Sequence, residues 1–300
     1  MGSMSRGWAL TKQSWAVLCN DRSLAVFPIL STIIALMALV AVWLPTAALT
    51  GLFFDIVDDN NPIFGVASVV TFFLTTFIGI FFNVALASCA ARSLRGEDTR
   101  VGEGLAAAMQ RMGPILGWTA VAGTVGLFMS LVRDRLPTAR IALWIVGAAW
   151  EVATFFVIPA IAIEGTGPWR SLKRSVVVVK ARWGEGATGA ATIAAVTVLV
   201  TLPLAIVGFA GVYALSSEGF SIFGFVAAAV GVAAVIVVSI ISSALNGIFR
   251  VAVYLYGVTG QAPAAFDAAL VRTAFEQPAH RGRAPVPDTV LYRGGAAVSD

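Results

Sequence analysis

Residues 144–186 read WIVGAAWEVATFFVIPAIAIEGTGPWRSLKRSVVVVKARWGEG, and the fold turns on them. From Trp144 to Ile163 the stretch is apolar enough to cross a bilayer, yet it holds Glu151 near its middle and Pro159 beyond it. The segment from Pro168 onward is basic, with Trp169, Leu172, Val176, Val179 and Trp183 at helical spacing and Arg170, Lys173, Arg174, Lys180 and Arg182 largely away from them. An intramembrane carboxylate next to a cationic surface helix belongs to a polytopic membrane protein rather than to a domain folded in water.

Composition says the same of the whole chain. Of its 300 residues 58% are hydrophobic and 12% charged, and the mean hydropathy is +0.88. Long apolar runs alternate with short charged connections, whereas a closed barrel would show alternating segments of about ten residues. Cys19 and Cys89 fall at helix ends on one side of the membrane, which argues against a disulfide, and no metal-ligand spacing is present. His280 is the only histidine and lies in a tail, which leaves no histidine-based catalysis or zinc site to expect.

In chain order, spans are expected at about 23–49, 63–91, 113–132, 139–163, 187–215 and 221–250. Amphipathic interfacial helices are expected at about 5–19, 99–111, 168–183 and 263–276, with Trp8, Trp15, Trp169 and Trp183 as headgroup anchors. On the first of these, Trp8, Thr11, Trp15 and Leu18 share a face. Asp55, Asp58 and Asp59 mark an acidic turn after the first span, and residues 277–300, rich in proline, glycine and arginine, read as a disordered tail. The expected fold is thus all-α: six transmembrane helices in three hairpins, each preceded by a surface helix, within a membrane domain over 1–276. A weak repeat of surface helix, span, turn and span begins near Ser5, Thr99 and Pro168.

Basic residues set the orientation. Three of the 20 lie before the first span, four between spans two and three, five between spans four and five, and five from Arg250 onward. Only Arg133, Arg135 and Arg140 lie on the other side. The positive-inside rule places both termini in the cytoplasm.

A set of local motifs runs through this plan. They are Phe81-Phe82-Asn83-Val84-Ala85, Gly117-Trp118, Trp150-x-x-Ala153-Thr154-Phe155-Phe156-Val157-Ile158-Pro159 and Glu164-Gly165. Further along come Ser171-x-x-Arg174-Ser175, Trp183-Gly184-Glu185, and Arg250 with Tyr254, Tyr256, Gly260, Phe266-Asp267 and Phe275. Together they resemble DUF6159, a family of uncharacterised prokaryotic membrane proteins, over nearly the whole chain to about Phe275. The resemblance implies six spans and a bacterial or archaeal plasma membrane, and it implies no activity. The hydropathy plan is also similar to the membrane portion of some glycerophosphodiester phosphodiesterases, whose catalytic domain has no counterpart in this sequence.

Three polar residues interrupt the spans. Glu151 stands about twelve residues from either end of its span, roughly 18 Å and near the midplane. A carboxylate there costs on the order of 2.5–3.5 kcal/mol, so it should face protein or water. It is either a proton or cation site or a packing group hydrogen-bonded to Asn83 or Asn246, and each asparagine can equally bridge two helices. Pro159 and Pro203 admit broken helices around a cavity or simple kinks. Arg170, Lys173, Arg174, Lys180 and Arg182 are candidate contacts for anionic lipid, set against ordinary positive-inside topology. No phosphate loop, nucleophile elbow, metal cluster or nucleic-acid motif is found, so no catalytic residue, cofactor or nucleic-acid partner is expected.

The expected function is a non-enzymatic envelope scaffold or lipid-interacting component of the prokaryotic plasma membrane. A small transporter or channel using Glu151 is the second reading, and a membrane subunit whose partner supplies chemistry is the third. A homo-oligomer or a protein partner is left open. A continuous polar cavity reaching Glu151 would favour transport, and a dry, tightly packed surround would favour the scaffold.

Overall fold

Hydrophobic length decides the elements. The computed structural model describes residues 3–50, 62–135, 140–217 and 222–260, without the side chains of 3–11, 134, 140, 181–192 and 215–217. These residues form α1 (Ser3–Asn20), α2 (Ser23–Leu49), α3 (Pro62–Ser93), α4 (Val101–Gln110), α5 (Met112–Arg135), α6 (Arg140–Thr154), α7 (Val157–Glu164), α8 (Pro168–Ser217) and α9 (Ile222–Thr259). No strand occurs among the described residues. Six segments are long and apolar enough to cross a membrane: Ser23–Leu49, Pro62–Ser93, Met112–Arg133, Ile141–Glu164, Ile193–Ala214 and Ile222–Thr259. The expected acidic turn, the last amphipathic helix and the tail lie outside the described residues, as do the side chains of Trp8, Arg182 and Trp183.

Three elements depart from the sequence reading. The fourth span is two helices, α6 and α7, separated at Phe155–Phe156. The expected surface helix over 168–183 and the fifth span are one helix of 50 residues, α8, about 75 Å long against a hydrocarbon core of about 30 Å. No proline follows Pro168 until Pro203, and the glycines after Trp183 only weaken a helix where proline would clash. The sixth span runs past Arg250 to Thr259, because its last turns are buried in protein rather than ending at a membrane surface.

Helices α2 and α3 pack against each other, and α8 and α9 pack more extensively still. The middle pair is opened: α5 lies chiefly against α3 and α6 against α8. Gly123 lets α5 approach α3, since a Cβ there would stand 2.5 Å from the Phe73 ring. A Cβ on Gly117 would stand 3.1 Å from the Pro168 ring, whereas Gly113 faces open space.

The buried core sits at one end of the bundle. It joins Leu24 and Phe27 of α2, Val84 to Ala91 of α3, Val157 to Ala162 of α7 and Ala244 to Tyr254 of α9. Most described basic residues gather at this same end, the basic end of the molecule. Polar contacts stitch its connections together. Asp21 accepts hydrogen bonds from Ser23 Oγ (2.5 Å) and Thr99 Oγ1 (2.5 Å), tying the α1–α2 turn to the loop before α4. Glu164 Oε1 accepts from Tyr254 Oη at 2.5 Å and pairs with Arg174 Nε at 2.9 Å, joining α7, α8 and α9. Gly165, at φ +63°, ends α7 in the left-handed conformation that glycine adopts without steric cost. Toward the opposite end the helices are apolar and open: Phe209 is 76% and Phe223 84% exposed, which suits contact with lipid and not with water.

Candidate functional site

The break in the fourth span begins with a proline. Pro159 has no N–H to give the Phe155 carbonyl, and its ring crowds that carbonyl, which weakens the helix there; α2 and α8 run on through Pro28, Pro45 and Pro203, and here the freed amide finds another partner. The Phe155 amide turns back to the Val152 carbonyl (3.3 Å). The Phe156 amide leaves the helix altogether and donates to Ser175 Oγ of α8 at 3.0 Å. Ser171 and Ser175 are both fully buried, so α8 approaches α7 along small polar side chains. The buried stripe of α8 is thus Ser171, Ser175, Val178 and Val179, rotated from the expected Trp–Leu–Val face, and Trp169 is 65% exposed. On α1 the bundle likewise takes Ser14, Val17 and Leu18, and Trp15 stands open on another face, away from the Leu18 it was expected to accompany.

The break lies on the wall of a cavity of about 720 Å³. Polar lining comes from three helices: Thr76 and Asn83 of α3, Glu151 and Thr154 of α6, and Ser243, Asn246 and Arg250 of α9, with Trp118 supplied by α5. The three polar residues singled out in the sequence therefore share one space. They do not bond to one another. Asn83 Nδ2 donates to the Gly79 carbonyl (2.8 Å) and Asn246 Nδ2 to the Ser242 carbonyl (3.0 Å), each within its own helix. This leaves each amide its Oδ1 to offer. No hydrogen bond or ion pair of the Glu151 carboxylate is found among the described residues. The expected packing role, with Glu151 bonded to an asparagine, is absent from the geometry.

Arg250 is the member that sequence reasoning missed. In the sequence it is the cation closing the last span, whereas in the fold it is half-buried and lines the cavity, with its guanidinium 4.7 Å from the centre of the Phe155 ring. Its Nε is buried out of reach of the cavity and has no partner, a costly state for a charged donor. Arg250 and Glu151 share the cavity and attract each other electrostatically without forming an ion pair within 4 Å. The cavity wall also carries Trp118 and Trp150, stacked at 5.9 Å and 11°. A second cavity of about 310 Å³ meets the first at Asn83 and Ser243 and is lined by Ser31, Thr32 and Ser239.

The basic candidates divide. Arg170, Lys173 and Lys180 are exposed or partly exposed along α8. Arg174 is engaged by Glu164: burial opposes its charge, but contacts with Tyr254 and Glu164 outweigh that and hold its pKa above the ordinary arginine value. It is a strut between helices, not a spare charge for lipid. Lys12 and Trp15 border an apolar groove of about 460 Å³ between α1, α8 and α9.

Six membrane-length segments, five of them lining a polar cavity with two opposite charges, define a multi-pass helical membrane protein with a candidate intramembrane binding site. The chain belongs to DUF6159, a family of unknown function whose profile matches residues 63–264 and so takes in every residue lining that cavity. No curated protein and no solved structure matches the chain.

Proposed function

We propose that the protein binds a small polar solute inside the membrane and passes it across, the cavity at Glu151 and Arg250 being the site. One observation carries this reading: two opposite charges, not paired with each other, line a common cavity walled by a discontinuous helix, and the Nε of one has no partner. A static scaffold has no use for that arrangement, because charges at membrane depth are costly unless paired or hydrated. Discontinuous helices at a polar site are a recurring feature of transporters, since they expose backbone groups only where a cavity is lined. In this reading the chain does no covalent chemistry. It lies in a prokaryotic plasma membrane with its basic end and both termini in the cytoplasm.

The test is osmotic swelling of reconstituted vesicles in four solutes: lactate, ethanolammonium, L-alanine and glycerol. At least one should enter faster than into protein-free vesicles, and Asn246→Leu, which fills and dries the cavity, should abolish the difference. Equal entry of all four with and without protein would overturn the proposal.

Association with anionic lipid at the basic end is a second reading, supported by the row of cations Arg170, Lys173 and Lys180 on the open face of α8. Replacing the three by glutamine should reduce binding to phosphatidylglycerol vesicles, by an amount that shrinks in high salt. Undiminished binding would assign those charges to topology alone.

A further inference from the structure

We infer that the solute is a small zwitterion, whose ammonium group meets Glu151 and whose carboxylate meets Arg250; this rests on the cavity being a solute site. The argument is one of charge balance. A cavity offering one carboxylate and one guanidinium, unpaired with each other, is neutral overall but locally unsatisfied at two points. An anion would satisfy Arg250 and leave the site with a net negative charge and Glu151 unpaired. A cation would do the reverse. Only a ligand bearing both signs satisfies both ends and keeps the filled cavity neutral, which matters most where water is scarce.

The local geometry fits each end. The Phe155 ring holds the Arg250 guanidinium from one side, and its terminal N–H groups, not the buried Nε, supply the fork that binds a carboxylate through two parallel hydrogen bonds. At the other end, Glu151 Oε atoms and the Oδ1 atoms of Asn83 and Asn246 are acceptors suited to an ammonium with three donors. The remaining wall, including Ile80, Ala122, Ile158 and the stacked Trp118 and Trp150, is apolar and suits a hydrocarbon or aromatic body. An α-amino acid has this combination of groups.

The experiment uses the full chain in phosphatidylcholine nanodiscs and follows its melting temperature during titration with two triads. One is L-leucine, 4-methylpentanoate and 3-methylbutylamine; the other is L-phenylalanine, 3-phenylpropanoate and 2-phenylethylamine. At least one zwitterion should bind about tenfold or more tightly than both of its singly charged analogues, the loss expected when a charged hydrogen-bonding partner is removed. Glu151→Gln should reduce that zwitterion to the affinity of its carboxylate analogue. Arg250→Lys, which keeps the charge but not the fork, should weaken it about tenfold. Melting of the ligand-free variants within a few degrees of the parent shows that they fold. A carboxylate analogue binding as well as its zwitterion would overturn the inference and leave the solute site standing. No shift with any of the six compounds would also overturn it, with the swelling assay then deciding the broader reading on its own.

Discussion

The two ends of this bundle are held together by different physics. At the basic end, side chains from α2, α3, α7 and α9 interlock in a buried core, and Glu164 joins three helices through Arg174 and Tyr254. At the far end there is little core. The contact between α8 and α9 is backbone against backbone, because Gly208, Gly211 and Gly231 carry no side chains to keep the helices apart. One end is specified by packing and polar pairing, the other by absence of bulk. The cavity lies in the basic half: Trp118 and Ala122 stand only about 9–15 Å along α5 from its start. A site that must keep charges in register is thus built on the rigid half.

If that contrast is right, the largest effect comes from breaking the polar joint. Glu164→Leu strands the Arg174 guanidinium, whose side chain is only 15% exposed, and the hydroxyl of buried Tyr254. A cost of about 2–3 kcal/mol is expected, seen as a lower melting temperature in detergent, with Glu164→Gln losing less because it still accepts one hydrogen bond. Next comes the far end. A Cβ on residue 231 would stand 2.5 Å from Gly208 Cα, which is backbone and cannot rotate aside. Gly231→Ala should therefore cost about 1–2 kcal/mol by prising α8 from α9, whereas Gly147→Ala, which meets nothing within 4 Å and removes a glycine from inside α6, should hold melting or raise it slightly. Equal effects of the two glycine variants would contradict the far-end contact. The smallest effect belongs to Arg92, whose pairs with Glu97 (2.8 Å) and Glu103 (2.5 Å) lie between side chains 42–46% exposed. Arg92→Gln should melt with the parent, because exposed ion pairs contribute little.

Much of this was legible in the sequence, and for identifiable reasons. Span positions follow from hydrophobic length, so 23–49 and 62–93 emerge almost as expected. Glu151 announced itself because an acid inside an apolar run has few neutral explanations. Arg250 did not, since a cation at the end of a span is what topology alone would place there; only its burial and the reach of α9 beyond it mark it as part of the site. Pro159 and Pro203 both read as possible breaks, and only the first interrupts its helix, at Phe155–Phe156, four residues before its own position. Ser175, which takes up the freed Phe156 amide, carried no such signal: among valines and tryptophans a serine does not look like a core residue. The fusion of the third surface helix with its span was hidden by Trp183-Gly184, a pair that reads as a boundary.

The central claim is that a polar cavity open to water, rather than packed protein or lipid, surrounds Glu151. It is tested most directly by cysteine accessibility in membranes, in a background carrying Cys19→Ser and Cys89→Ser. Thr154→Cys places a thiol on the cavity wall, and Leu199→Cys places one on an apolar surface that is 75% exposed toward lipid. The thiolate, which forms in water and not in hydrocarbon, attacks the thiosulfonate sulfur and displaces sulfinate. A permanently charged thiosulfonate should modify Thr154→Cys readily and leave Leu199→Cys intact. Thr154→Cys as inert as Leu199→Cys would mean a dry site, and the solute reading would fall with it.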